Sequence, residues 1–159
     1  MQESQKVKIN TSRFGEIEID EKKIISFPMG IPGFEYLKRF ILVDYRPSVQ
    51  WLHAVDDPDV AFIVVNPFLV FPDYSVNIKD DAEIFLGIKD ASDTAVLAIL
   101  TVKGNNITAN LKAPLVMNTA NFTAVQLILD DDRLSFQTPF PGLKGGGRET
   151  VAESREKEG

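Results

Sequence analysis

Histidine and clustered carboxylates are the residues of this sequence that could support chemistry. His53, the only histidine, would need a positioned serine and a carboxylate to form a hydrolytic triad, and the sequence has no Gly-X-Ser-X-Gly turn. Because His53 alternates with Trp51 and Val55, we interpret it as a packed or surface residue of a strand. We therefore predict that the protein is not an enzyme, since an enzyme would need a pocket that gathers His53 with carboxylates.

Two runs of carboxylates, at 56–59 and 130–132, could in principle bind Mg²⁺ or Ca²⁺. Neither run has the spacing of an EF-hand, and each stands where a predicted strand ends, so turn formation explains both. The sequence has no cysteine, which excludes disulfides, thiol nucleophiles and cysteine-based zinc sites and fits a reducing compartment. We predict no metal and no other cofactor.

Short runs of alternating apolar and polar residues dominate the chain and predict an all-β fold. Turn signals recur every 8–12 residues, as in a sandwich or barrel. The continuous apolar run at 95–102 predicts a strand that is covered on both faces. One or two short helices are predicted, at 34–38 and 80–86. The predicted strands lie at 6–9, 16–19, 24–27, 40–44, 51–55, 60–65, 74–78, 95–102, 107–111, 115–118 and 124–129.

The 159 residues fit one domain, which we place at 1–140. Residues 141–159 contain three consecutive glycines and then mostly charged or small residues, so we predict a flexible tail there. The N-terminus has no apolar stretch typical of a secretory signal, and no apolar run approaches the ~20 residues of a membrane span. We therefore expect a cytoplasmic protein that is not bound to membrane.

The net charge is negative, and the acidic residues are unevenly distributed along the chain. The net charge is -6, and residues 56–93 hold nine acidic residues against two lysines, a local balance of -7. Such a surface repels phosphate backbones and favours a basic protein partner. The alternative is a small nucleic-acid-binding β-barrel, which should show a basic groove with interleaved aromatics. Lysine and arginine are scattered here, so we expect no direct nucleic-acid binding.

Two segments have the composition of contact surfaces. The sequence FPMGIPGFE at 27–35 combines two prolines and two glycines with apolar side chains, which gives a stiff loop that loses little entropy on binding. The sequence NPFLVFPDY at 66–74 brackets four apolar residues with prolines, which predicts an edge strand or a bulged crossing. Core packing is the alternative for the apolar residues of both segments.

These two segments resemble the two signatures of the flagellar assembly factor FliW family. Further similarity to the family follows in order along the chain, at 14–17, 86–88, 99–102, 108–118 and 125–129. The resemblance implies a compact antiparallel β pseudo-barrel with short helices. It also implies a cytoplasmic protein that binds flagellin and the translational regulator CsrA, and stops CsrA from repressing flagellin messenger RNA. A chaperone that binds flagellin alone is the alternative.

The resemblance and the two segments together give a set of candidate contact residues. The acidic residues Asp56, Asp57 and Asp59 are expected to form a surface that repels RNA phosphates beside CsrA. We expect the free protein to be a monomer. The predicted partner-binding residues are Ile31, Phe34, Phe68, Phe71, Asp73, Tyr74 and Asn110.

Overall fold

The structure is a computed structural model that describes residues 5–141. Eleven strands, one α-helix and three short 3-10 helices are found in this range. The helix, α1, is Asp80–Leu86. The strands β1 to β11 are, in chain order, Lys6–Thr11, Gly15–Asp20, Ile25–Ser26, Arg39–Arg46, Val49–Ala54, Ala61–Val65, Thr94–Lys103, Asn106–Ala109, Leu115–Asn118, Thr123–Gln126 and Thr138–Pro139.

Seven of these strands close into a ring, in the order β4-β5-β6-β7-β9-β10-β3 and back to β4. Closure depends on β7, because it pairs both with β6 and, through its first half, with β9. Its second half pairs with β8, which lies outside the ring. The contact between β3 and β10 is parallel, while the other pairings of the ring are antiparallel. The all-β pseudo-barrel expected from the sequence is confirmed, and closure leaves few unpaired strand edges.

Strands β5 and β6 separate two hydrophobic clusters. Leu52 and Ala54 face the first cluster together with Phe40 and Phe62, while Trp51 and its neighbours face the second. This two-sided burial explains why β6 is apolar at every position. Strand β7 alternates instead. Its even-numbered residues from 96 to 102 are buried, and its odd-numbered residues from 95 to 101 are half-buried.

Strands β1 and β2 form a separate hairpin that is attached to the barrel by its turn. The Ser12 amide donates to the Pro58 carbonyl at 2.8 Å, and the Ser12 hydroxyl donates to Asp59. The Arg13 guanidinium lies 3.8 Å from the centre of the buried Trp51 ring, a cation–π contact. The turn 56–59 is therefore a docking point for the hairpin.

The sequence-based helix prediction was right for 80–86 and wrong for 34–38. In the second segment Phe34 donates its amide to Ile31 and Leu37 donates to Phe34, which makes consecutive turns. A helix is excluded because Gly33 has a φ of +90° and the chain must already be extended at Arg39 to join the sheet.

Two strand predictions were wrong. Segment 66–74 is neither an edge strand nor a bulge, because Pro67–Leu69 is a 3-10 helix whose first turn is capped by the Asn66 side chain. Segment 74–78 is extended without strand pairing, and it contributes side chains to the clusters instead. The two-residue strand β11 was not predicted. Apart from Pro141, the predicted tail 141–159 lies outside the described residues.

Candidate functional site

The helix α1 forms a ridge on the outside of the barrel. Its only fully buried residue is Leu86, and the Leu86 carbonyl accepts from the side-chain amides of Asn118 at 2.9 Å and Asn121 at 3.1 Å. Gly87 then ends the helix in the left-handed conformation with a φ of +72°. These contacts anchor the last turn of α1 to the barrel.

On one side of α1 lies a groove of about 460 Å³, which we call the Met29 groove. Met29, Phe85 and Ile128 come from three separate segments and are exposed by 63%, 45% and 72%. Such a grouping of large exposed apolar side chains is typical of contact surfaces. The other residues that line the Met29 groove are Asn77, Lys79, Asp81, Ala82, Val125, Leu127, Leu129 and Asp130.

On the other side of α1 lies the Phe68 surface, which we define as two hollows that meet at Phe68. The smaller hollow, of about 330 Å³, lies between Phe68 and Glu83 of α1. The larger, of about 700 Å³, lies between the 3-10 helix Pro67–Leu69 and the β4–β5 turn. Phe68 and Leu69 are exposed by 41% and 65%, so each of the two sequence-predicted segments contributes an apolar side chain to one side of α1.

The structure divides the predicted contact residues between the core and the surface. Ile31 is 3% exposed and lies in the first hydrophobic cluster. Phe34 is half-buried and packs edge-to-face on Phe62, with 5.2 Å between ring centres. These two side chains hold the loop in place, and its exposed apolar side chain is Met29.

In the second segment the aromatic side chains alternate between packing and exposure. Phe68 is exposed, and its ring centre lies 5.6 Å from that of the buried Tyr74. Phe71 is half-buried against Phe140, while Asp73 is exposed. Of the predicted contact residues in this segment, Phe68 and Asp73 are therefore the ones that a partner could reach directly.

Asn110 has a structural role in a neighbouring turn. Its side-chain oxygen accepts from the Ala113 amide at 2.9 Å, and its backbone amide donates to Ile99. The side chain is half-buried. Direct contact of Asn110 with a partner stays a prediction.

The predicted acidic surface is built around a turn. Asp57 accepts from the Asp59 amide at 2.9 Å, and Asp59 accepts from Ser12. Asp56 forms a two-pronged pair with Arg39 at 2.7 and 3.1 Å. The hydrogen bond from Arg39 lowers the pKa of Asp56. These contacts give each carboxylate a local role, and the expected repulsion of RNA stays a prediction.

The burial of Tyr74 predicts a pH dependence of stability in the alkaline range. Its hydroxyl donates to the Leu111 carbonyl at 2.7 Å, and burial raises the pKa of Tyr74 to about 12. An unfolded tyrosine ionises near 10, so the unfolded state loses its proton first and stability falls as pH rises from 10 to 12. We expect roughly 2 kcal/mol of stability to be lost across this window.

Urea unfolding of the wild type and of Tyr74→Phe at pH 8, 10 and 11.5 checks this prediction. The variant lacks the titrating group, so its stability should fall less above pH 10 than that of the wild type. Parallel pH profiles of the two proteins would contradict it.

His53 is buried in strand β5. It is 1% exposed, and its Nδ1 is 2.8 Å from the Ala54 carbonyl oxygen.

Within residues 5–141, no group of three or more histidine, cysteine or carboxylate side chains is placed to hold a metal ion. No helix of that range is long and apolar enough to cross a membrane.

The sequence analysis missed several exposed apolar residues on α1 and around the grooves, namely Leu69, Ile84, Phe85 and Ile128. The seven residues of α1 are too few to show a helical period clearly, although Ile84 and Phe85 beside three acidic residues were a usable signal. Ile128 was hidden inside an apolar run whose neighbours, Leu127 and Leu129, face the clusters.

In its described residues the protein is thus a small closed β-barrel with apolar grooves on either side of one short helix. The FliW protein family model matches residues 8–140. The flagellar assembly factor FliW of Alkaliphilus metalliredigens is 44% identical over 129 residues, which cover 78% of this chain and 80% of that relative. The flagellar assembly factor FliW of Caldanaerobacter subterraneus subsp. tengcongensis is 36% identical over 139 residues, which cover 84% and 93%.

A solved structure agrees with these relatives. A crystal structure of the flagellar assembly factor FliW is similar with a TM-score of 0.79 and 36% identity, and the match covers 85% of this chain and 98% of that one. The chain belongs to the FliW family of flagellar assembly factors, which is not a known enzyme family. The resemblance found in the sequence is confirmed.

Proposed function

We propose that this protein binds flagellin and the translational regulator CsrA in the cytoplasm, and that flagellin and CsrA compete for it. When flagellin is scarce, the protein occupies CsrA and relieves repression of flagellin messenger RNA. When flagellin accumulates, it takes up the protein and CsrA is released. The observation that carries the proposal is the pair of exposed apolar grooves on either side of α1.

The grooves support binding because their walls are anchored to the barrel. Leu86 and the two asparagines hold α1, and the buried Ile31 holds the loop that presents Met29. Preformed surfaces lose little entropy when a partner docks. Aromatic side chains such as Phe68 and Phe85 are typical hot spots of protein interfaces.

Calorimetric titration with flagellin and, separately, with CsrA from the same organism tests the proposal. We expect binding to both and displacement of CsrA by flagellin. Binding to flagellin alone would leave a flagellin chaperone, and binding to neither would refute the proposal. Titration with single-stranded RNA serves as the control, because the acidic surface should give no binding.

The predicted role of the acidic charges can be tested at Asp57 and Asp73 by a separate RNA-release experiment. We expect charge reversal at Asp57 and Asp73 to weaken the release of RNA from CsrA, because fewer negative charges would then lie within the Debye length of about 8 Å. RNA release is measured by competition at two salt concentrations. Asp56 is left unchanged, since its pair with Arg39 would complicate the comparison. Unchanged RNA release would show that the antagonism does not depend on charge.

A further inference from the structure

The Met29 groove is lined by side chains on both walls. Ala82 and Phe85 of α1 form one wall, and the extended segment 125–129 forms the other. Met29 and Ile128 are more than half exposed. A trough with apolar side chains on facing walls suits the apolar stripe of a helix, which inserts side chains at i, i+3, i+4 and i+7.

The rim of the Met29 groove is acidic. Asp81 and Asp130 lie on the rim against Lys79, and the Lys79 Nζ to Asp130 Oδ2 distance is 4.0 Å, with both side chains largely exposed. Such a pair is weak in water. Asp80 adds a further negative charge in the first turn of α1, so the field at the rim favours a cationic partner.

Charge also argues against the other possible occupants. A second copy of this chain would bring a molecule of net charge -6 against a rim of the same sign. Anionic lipid headgroups would be repelled in the same way. Residues 142–159 offer only Leu143, Val151 and Ala152 as apolar side chains, too few for an apolar stripe.

We infer that the Met29 groove binds an amphipathic helix whose apolar stripe is flanked by lysine or arginine. The inference rests on the proposed function, because it names the form and charge of the segment that a protein partner presents. The apolar walls supply the affinity, and the rim selects the charge of the helix. Binding therefore weakens as salt rises, since the rim charges are exposed and screened.

Three synthetic peptides of one length test the inference. The first places leucine at i, i+3, i+4 and i+7 with lysine beside the stripe. The second has the same composition rearranged so that leucine alternates with polar residues, and the third has glutamate in place of lysine. Fluorescence anisotropy at low and physiological salt should show the first binding at least about tenfold more tightly than either of the others.

Variants of the protein locate the binding. Ile128→Glu places a charge in the groove and should weaken binding of the lysine peptide at least about tenfold. Replacing Asp81 and Asp130 together by lysine should weaken it at low salt and reduce its salt dependence. Phe136→Glu is the matched control, because Phe136 is 53% exposed and does not line the groove. Circular dichroism checks that all variants keep the fold.

Equal binding of the first two peptides would overturn the helical form of the partner. Equal binding of the lysine and glutamate peptides would overturn the role of the rim. Unchanged affinity of the lysine peptide for Ile128→Glu would overturn the site.

If full-length flagellin or CsrA binds and Ile128→Glu has no effect on either, the proposed function stands and this inference fails. If the lysine peptide binds at the groove and neither full-length protein binds, the proposed function fails and the groove assignment stands.

Discussion

Replacement of Gly30 by alanine should lower the free energy of unfolding by about 3 kcal/mol or more. Gly30 has a φ of +72°, which costs an L-residue about 1–2 kcal/mol. A Cβ at this position would also lie 2.7 Å from the Glu35 Cα. Because that neighbour is backbone, it cannot rotate away, and overpacking typically costs a further 1–3 kcal/mol.

The damage should spread from the loop to the core and to the Met29 groove. The loop 27–35 turns sharply at Gly30, whose amide donates to the Phe27 carbonyl at 2.8 Å. This turn sends the neighbouring Ile31 into the core and leaves Met29 outside. A shift at Gly30 therefore loosens Ile31 and misplaces Met29 together.

Gly33→Ala is the matched control for this prediction. Gly33 also has a positive φ, of +90°, but a Cβ there would meet no atom within 4 Å. It should therefore carry the backbone strain alone, about 1–2 kcal/mol. Urea unfolding followed by the fluorescence of Trp51, the only tryptophan, measures both variants. Equal losses of stability would show that the approach of Glu35 to Gly30 does not matter.

Most strands could be predicted because the pattern that defines them is local. Alternating residues and intervening turns placed β9 at 115–118 and β6 within one residue of its observed start. Segment 74–78 alternates as well, yet it pairs with no strand of the ring or of the β8–β11 branch. Whether a run finds a pairing partner depends on distant strands, and a local pattern does not contain that information.

The site could be predicted as two segments but not as individual side chains. Composition alone indicates that 27–35 and 66–74 are stiff and apolar. It does not indicate that Ile31 points inward while Met29 points outward, because that depends on the turn at Gly30. The placement of Phe68 likewise follows from the Asn66 cap, which turns a presumed strand into a helical turn and so changes the side-chain period from 2 to about 3.

The second large effect concerns the pair Phe68 and Phe71, which the sequence alone does not distinguish. We expect Phe71→Ala to lower the free energy of unfolding by about 2 kcal/mol, less than a fully buried phenylalanine would lose, because Phe71 packs on the second cluster and on Phe140. Phe68→Ala should cost little stability, since Phe68 is 41% exposed. It should instead weaken partner binding by about 30-fold, the effect of losing an interface hot spot of 2 kcal/mol.

Calorimetry with flagellin and with CsrA, together with urea unfolding of both variants, separates the two roles. Each phenylalanine serves as the control for the other, because the substitution is the same and the two positions lie three residues apart. If Phe68→Ala lost affinity for only one partner, flagellin and CsrA would use different parts of the Phe68 surface. Competition between them would then require steric overlap or coupling between the two sites. If Phe71→Ala lost affinity at unchanged stability and Phe68→Ala did not, the exposed half of Phe71 would be the contact, and the partner surface would lie towards Phe140 instead of towards α1.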